Sequence, residues 1–128
     1  MKVLLDTCTF IWLSMPQGKL SPLATLIIND PANELFLSDV SIWEVCLKNS
    51  SGKLALPETP RVWVPQQTGY FHIHDFSLDQ SAIYRSGELP RIHPDPFDRL
   101  LAAQAIEWGM TILSPDTPLS LLGASRVW

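Results

Sequence analysis

The stretch HPDPFDRLLAAQAIEWGMTILSPD, residues 93–116, carries a helix, its stop, a short strand and an acid near the start of each new element. Asp95-Pro96 supplies an N-cap followed by proline at the first helical position. Phe97, Leu100, Leu101, Ala105 and Trp108 then recur at helical spacing, and Gly109 marks the stop. Thr111 to Leu113 reads as a strand, and Ser114-Pro115-Asp116-Thr117-Pro118 as a turn feeding a short helix. A helix that runs straight into a short apolar strand is the repeating unit of an α/β sheet. Asp98 and Asp116 are therefore expected at one sheet edge.

Working outward, the same alternation continues. Met1 to Leu5 reads as a buried strand ending at Asp6, with a short helical turn over Thr9 to Leu13. Ser21-Pro22 caps a helix over Leu23 to Asn29, and Asp30 to Asn33 is turn chemistry before a strand over Glu34 to Leu37. Ser41 is expected to cap the next helix, with Glu44 three residues on at capping-box spacing and Gly52 closing it. Pro57, Pro60 and Pro65 predict a broken connection with at most a short helix around Arg61 to Gln67. Tyr70 to Phe76 alternates like a strand, and Ser77 is the expected cap of a helix through Arg85. Arg126 to Trp128 reads as a last edge strand. The expected fold is α/β with three layers: a mainly parallel sheet flanked by helices.

A chain of 128 residues is sized for one domain, and a 46% hydrophobic composition with five tryptophans excludes disorder. The formal charge of −4 lacks the basic field by which proteins hold nucleic acid through phosphates alone, so an RNA or DNA ligand needs a local device. Lys48, Lys53, Arg61, Arg85, Arg91 and Arg99 are the available cations, but no run of them forms a patch in sequence. Cys8 and Cys46 are far apart and make no metal or disulfide motif. The N-terminus lacks the apolar run of a signal peptide, and no segment approaches membrane-spanning length. A cytoplasmic location is expected.

Asp6, Glu44, Asp98 and Asp116 each fall where a strand has just ended or a helix is beginning. Taken singly, each has a structural explanation as a turn former, cap partner or dipole-compensating charge. Taken together, α/β topology brings all four to one edge. Two carboxylates about 4 Å apart repel by roughly 4 kcal/mol at an effective dielectric of 20. A hard divalent cation with oxygen ligands removes that repulsion, and magnesium or manganese suits an all-carboxylate set.

Four segments, LLDTCTFIW (Leu4 to Trp12), SIWEVCLK (Ser41 to Lys48), HPDPFDRLLAAQA (His93 to Ala105) and SPDTPL (Ser114 to Leu119), resemble the PIN-domain proteins of the VapC type, in order and spacing. Those proteins are ribonuclease toxins of bacterial toxin–antitoxin pairs, and the resemblance runs the length of the chain as one PIN domain over residues 1–128. It implies a magnesium-type ion held mainly by Asp6 and Asp98, with Glu44 and Asp116 completing a catalytic acidic set directly or through water. It also implies an RNA substrate, a small antitoxin partner and a homodimer. Cys8 departs from the family at a place often polar, and the prolines near residue 60 predict an altered helix pair where such proteins clasp their partner.

Thr7 and Ser114 offer nearby hydroxyls, His93 a donor toward substrate, and Arg99 a phosphate contact. His72 and His74, on one face of the expected strand, form a weaker metal pair. Trp12, Trp43 and Trp63 are core fillers or interface residues. Two further functions fit parts of the pattern. A haloacid-dehalogenase-like phosphatase would use Asp6 as nucleophile, but Cys8 stands where its second acid is required. A catalytically silent RNA-binding or interaction module would keep the fold without cleavage.

Overall fold

The computed structural model describes residues 1–128. In chain order it contains β1 (Lys2–Leu5), α1 (Thr7–Ser14), α2 (Pro22–Asn29), β2 (Glu34–Ser38), α3 (Asp39–Ser50) and α4 (Pro60–Tyr70). There follow β3 (His74–Phe76), α5 (Gln80–Glu88), α6 (Pro96–Trp108), β4 (Thr111–Leu113), α7 (Pro118–Leu121) and β5 (Ser125–Val127). The five strands form one sheet in the order β3-β2-β1-β4-β5, and every pairing is parallel.

Alternation along the strands divides the core into two layers. On β1, Leu4 joins Ile112, Leu101, Ala102 and Leu119 on one face of the sheet. Val3 and Leu5 join Leu35, Leu37, Leu113, Phe10 and Trp63 on the other. Successive strand residues point to opposite faces, so an uninterrupted apolar run serves both layers. Leu4 and Leu5 are fully buried, as are Leu101, Ile112 and Leu113. The chain leaves β1 toward β2 on one side, while β4 lies on the other. That reversal opens a crevice beyond the carboxyl ends of β1 and β4, the usual ligand position in such sheets.

Several element boundaries differ from expectation for identifiable reasons. Helix α3 begins at Asp39, capped by Ser38, whose hydroxyl accepts from the Val40 amide at 3.0 Å. Ser41 is thus inside the helix, and the expected Ser41–Glu44 capping box does not form. Helix α4 runs through Pro65, because Pro60 occupies its first turn and Trp63 and Val64 anchor it in the core. Arg61 and Pro65 both face solvent, so water can serve the carbonyl that Pro65 leaves without a donor. Tyr70 closes this helix, His72 turns the chain at φ +54°, and the strand is confined to His74–Phe76. The imagined His72–His74 pair on one strand face is therefore absent, and His74 packs its ring on Phe36 at 5.2 Å. Helix α5 is capped by Asp79, which accepts from the Ala82 amide at 3.1 Å. The Ser77 carbonyl instead accepts from Gln104 at 3.2 Å.

Candidate metal centre

Asp6 ends β1 and caps α1, with the Thr7 amide donating to Oδ1 at 2.6 Å. The Ser114 hydroxyl donates to Oδ2 at 2.5 Å and the Cys8 thiol to the same oxygen at 3.4 Å. Backbone ties hold this corner in place: the Asp6 amide and the Thr9 hydroxyl both donate to the Leu113 carbonyl, at 3.2 and 2.8 Å. Asp6 is only 5% exposed. Burial pushes its pKa up, the donors oppose this, and Glu44 adds repulsion. Burial, with Asp6 nearby, pushes the Cys8 thiol up as well, so Cys8 acts as a protonated donor.

Glu44, 7% exposed, points from α3 toward the same crevice and meets Lys48 at 2.7 Å one turn later. The Thr7 hydroxyl donates to Ser41 at 2.9 Å, which locks α3 to α1. Ser41 therefore works as a clamp between helices. The Ser38 hydroxyl donates to the Gln104 carbonyl oxygen, tying the start of α3 to the fully buried Gln104 of α6. Gln104 is a positioning residue that no local pattern distinguishes, since a glutamine within a helical stripe ordinarily faces water.

Asp98 enters from the first turn of α6, where the Asp95 carboxylate accepts from the Phe97 and Asp98 amides at 2.9 and 3.5 Å. His93 Nε2 lies 2.7 Å from Asp98 Oδ2 and 3.6 Å from Asp116 Oδ2. One ligating atom from each of His93, Asp98 and Asp116 falls within 4.8 Å of the others. Asp98 is pushed up to about 7, first by burial and then by Asp6 and Asp95, against the bond from His93. That same bond raises His93. Sequence reasoning foresaw His93 only as a donor toward substrate. Its place between two acids depends on the loop before α6, which local sequence does not specify.

Arg99 makes that loop. Its guanidinium donates to the carbonyls of Pro90, His93, Ser86 and Leu89 at 2.7 to 3.2 Å. A guanidinium spent on four carbonyls orders the chain, a role that is neither the surface ion pair nor the phosphate contact considered for Arg99 from sequence. Trp63 is buried against Phe10, whereas Trp43 remains half in solvent against Phe97.

The four acids thus converge: Asp6, Glu44, Asp98 and Asp116 line one cleft of about 230 Å³, with Thr7, Cys8, Lys48 and Asp95 around them. Five carboxylates line it against one ammonium, and Lys48 is already engaged by Glu44. Oxygen donors in excess of positive charge, partly buried and prearranged, are the chemistry a hard divalent ion satisfies. The residues present fit such an ion.

A parallel sheet with its acidic cleft beyond the switch point defines an α/β domain with a candidate divalent-ion site. The PIN domain family matches residues 3–123, and the chain belongs to that family. It is similar to Ribonuclease VapC22 of Mycobacterium tuberculosis, with 30% identity over 118 residues, 91% of this chain and 88% of that protein. The fold is shared with VapBC2 from Rickettsia felis bound to a promoter DNA fragment, at a TM-score of 0.74 and 13% identity over 99% of this chain and 98% of that one. VapBC-1 from nontypeable Haemophilus influenzae gives a TM-score of 0.68 and 14% identity, covering 99% and 97%. Family membership displaces the haloacid-dehalogenase-like reading of Asp6.

Proposed function

We propose that this chain, as a single PIN domain over residues 1–128, hydrolyses RNA phosphodiester bonds with a divalent ion and acts as the toxin of a toxin–antitoxin pair. The observation that carries the reading is the convergence of four acids, from segments up to 110 residues apart by their numbers 6 and 116, on one cleft. Similarity to a VapC ribonuclease supports the reaction class.

In this proposal Asp6 and Asp98 hold the ion, magnesium or manganese, and Glu44 and Asp116 complete the set directly or through water. When bound, such an ion polarises a phosphate oxygen and supplies a nucleophile from water at neutral pH. The chain's own residues provide orientation. Ser114 and the Thr7 amide aim the two oxygens of Asp6, the Asp95 cap fixes the first turn that carries Asp98, and Lys48 steadies Glu44. Each partner limits the freedom of a carboxylate before any ligand arrives.

The partner in this reading is a small antitoxin, supported by likeness to structures from the VapBC family of toxin–antitoxin systems, and the assembly is a homodimer, as the family resemblance implies. No helix is long and apolar enough to cross a membrane. The test is induced expression of the wild type beside Asp98→Asn, scoring growth and the integrity of total RNA. Wild type is expected to arrest growth with RNA cleavage and the variant to do neither. Equal behaviour of the two overturns the assignment.

A further inference from the structure

The acidic chain requires a local device to hold a polyanion, and a groove beside the metal centre has the chemistry for one. The loop between α5 and α6 borders an open cavity of about 610 Å³ lined by Gly87, Arg91, Ile92, His93, Pro94 and Arg99. No acid lines it. The volume lies within the range of about 300–1,000 Å³ that small organic ligands occupy. His93 belongs to this groove and also lies 2.7 Å from Asp98, so groove and metal centre meet at one side chain.

Charge is concentrated here by folding rather than by sequence. Arg99 donates only to backbone carbonyls, neutral partners that order the guanidinium without cancelling its charge. Arg91 is exposed and makes no ion pair. Lys48 and Arg85 are paired with Glu44 and Glu107, so of the cations lining the acidic cleft and this groove it is the arginines of the groove that keep their charge free. Arg91 thus faces solvent directly beside an acidic cleft, with the half-buried charge of Arg99 in the same wall. Ile92, 55% exposed, and the His93 ring add surface against which an unstacked base can lie.

We infer that this groove is a binding track for single-stranded RNA, in which Arg91 contacts a backbone phosphate next to the bond delivered to the acidic cleft. The inference rests on the ribonuclease reading and adds to it the path of the substrate. Arg91 is a binding residue, and Arg99 shapes the groove and contributes charge without spending a donor on the ligand.

The test measures binding of a short fluorescein-labelled single-stranded RNA by anisotropy across a salt series, with the full chain carrying Asp98→Asn to suppress cleavage. Adding Arg91→Ala is expected to weaken binding about tenfold and to reduce the log–log salt slope by about 0.7, the value for one single-strand phosphate contact. Arg91→Lys is expected to keep most of the slope and Arg91→Glu to weaken binding further. Arg91 is exposed, so unchanged melting temperatures separate these effects from misfolding. Unaltered affinity and slope in both Arg91→Ala and Arg91→Glu, with wild type still cleaving RNA, overturn the track while leaving the ribonuclease reading intact. Loss of antitoxin binding with unchanged RNA binding also overturns it, in favour of a protein-docking groove. Failure of the wild type to cleave RNA removes the ribonuclease reading itself.

Discussion

The two walls of the candidate metal centre hold their carboxylates by different means. Asp6 is almost fully buried and receives three donors, from the Thr7 amide, the Ser114 hydroxyl and the Cys8 thiol. The Asp98 side chain is 15% exposed and meets an imidazole that also faces Asp116. Neutral donors orient a carboxylate without cancelling its charge, whereas an imidazole offers a proton that can be shared. Burial raises the pKa of both carboxylates, but the Asp6 wall fixes its oxygens through neutral donors, whereas the Asp98 wall shares a proton with His93. Such a division puts fixed geometry on one side and a shared proton on the other.

The sharpest way to break this comparison is to remove the buried charge. Asp6→Asn keeps the shape and is expected to reduce RNA cleavage by more than about 100-fold, beyond the ~10–100-fold typical of losing an outer partner of a metal ligand. The same variant is expected to melt at a higher temperature than wild type in chelator, because a desolvated charge has been deleted. Lost activity with a lowered ion-free melting temperature would mean that Asp6 is principally structural.

A smaller effect should follow from loosening the orientation alone. The Ser114 hydroxyl donates to Asp6 and accepts from the Asp116 amide at 3.0 Å, so it joins the two walls. Ser114→Ala is expected to weaken divalent-ion affinity by roughly 10–100-fold, with much of the cleavage rate recovered at saturating ion. Calorimetric titration with manganese checks the first part and rate against ion concentration the second. A rate loss that excess ion does not repair would assign Ser114 to the reaction itself.

How much of this was legible follows from where the information lies along the chain. Helix α6 and the strand after it were readable, because Asp95, Pro96 and Gly109 state the start and stop locally. The apolar stripe was right for Leu101 and Ala105, but Trp108 is exposed and Ala102, Ala103 and Gln104 complete the buried face. The edge on which the four acids meet followed from topology, since parallel strands separated by helices leave few arrangements. The start of α3 was not readable: Ser38 and Ser41 are both competent caps, and the choice is made with Gln104, 66 positions away, engaging Ser38. The Arg99 loop is similar, because four carbonyl bonds across residues 86–93 turn a side chain considered for a phosphate contact into a brace. His93 reached the centre only through that brace, which no periodicity or cap announces.

The smallest effect concerns the proton shared on the Asp98 wall. Asp98 is raised in the folded chain to about 7 from an ordinary 3.8, so between those values the folded state holds a proton that the unfolded state has released. Stability from this group is therefore lost as pH rises from about 4 to about 7. His93 is raised by its bond to the same carboxylate, so the pair makes a single contribution, through one shared proton, that is lost as pH rises. A divalent ion competes with this proton, so its affinity should fall by up to about tenfold per unit as pH drops below 7, for one displaced proton. Melting curves at pH 5 and pH 8, with and without magnesium, test this. The rise in melting temperature produced by the ion should be larger at pH 8, and the pH dependence in chelator should flatten in Asp98→Asn relative to wild type. An ion effect equal at both pH values would leave the Asp98–His93 pair without a part in ion capture.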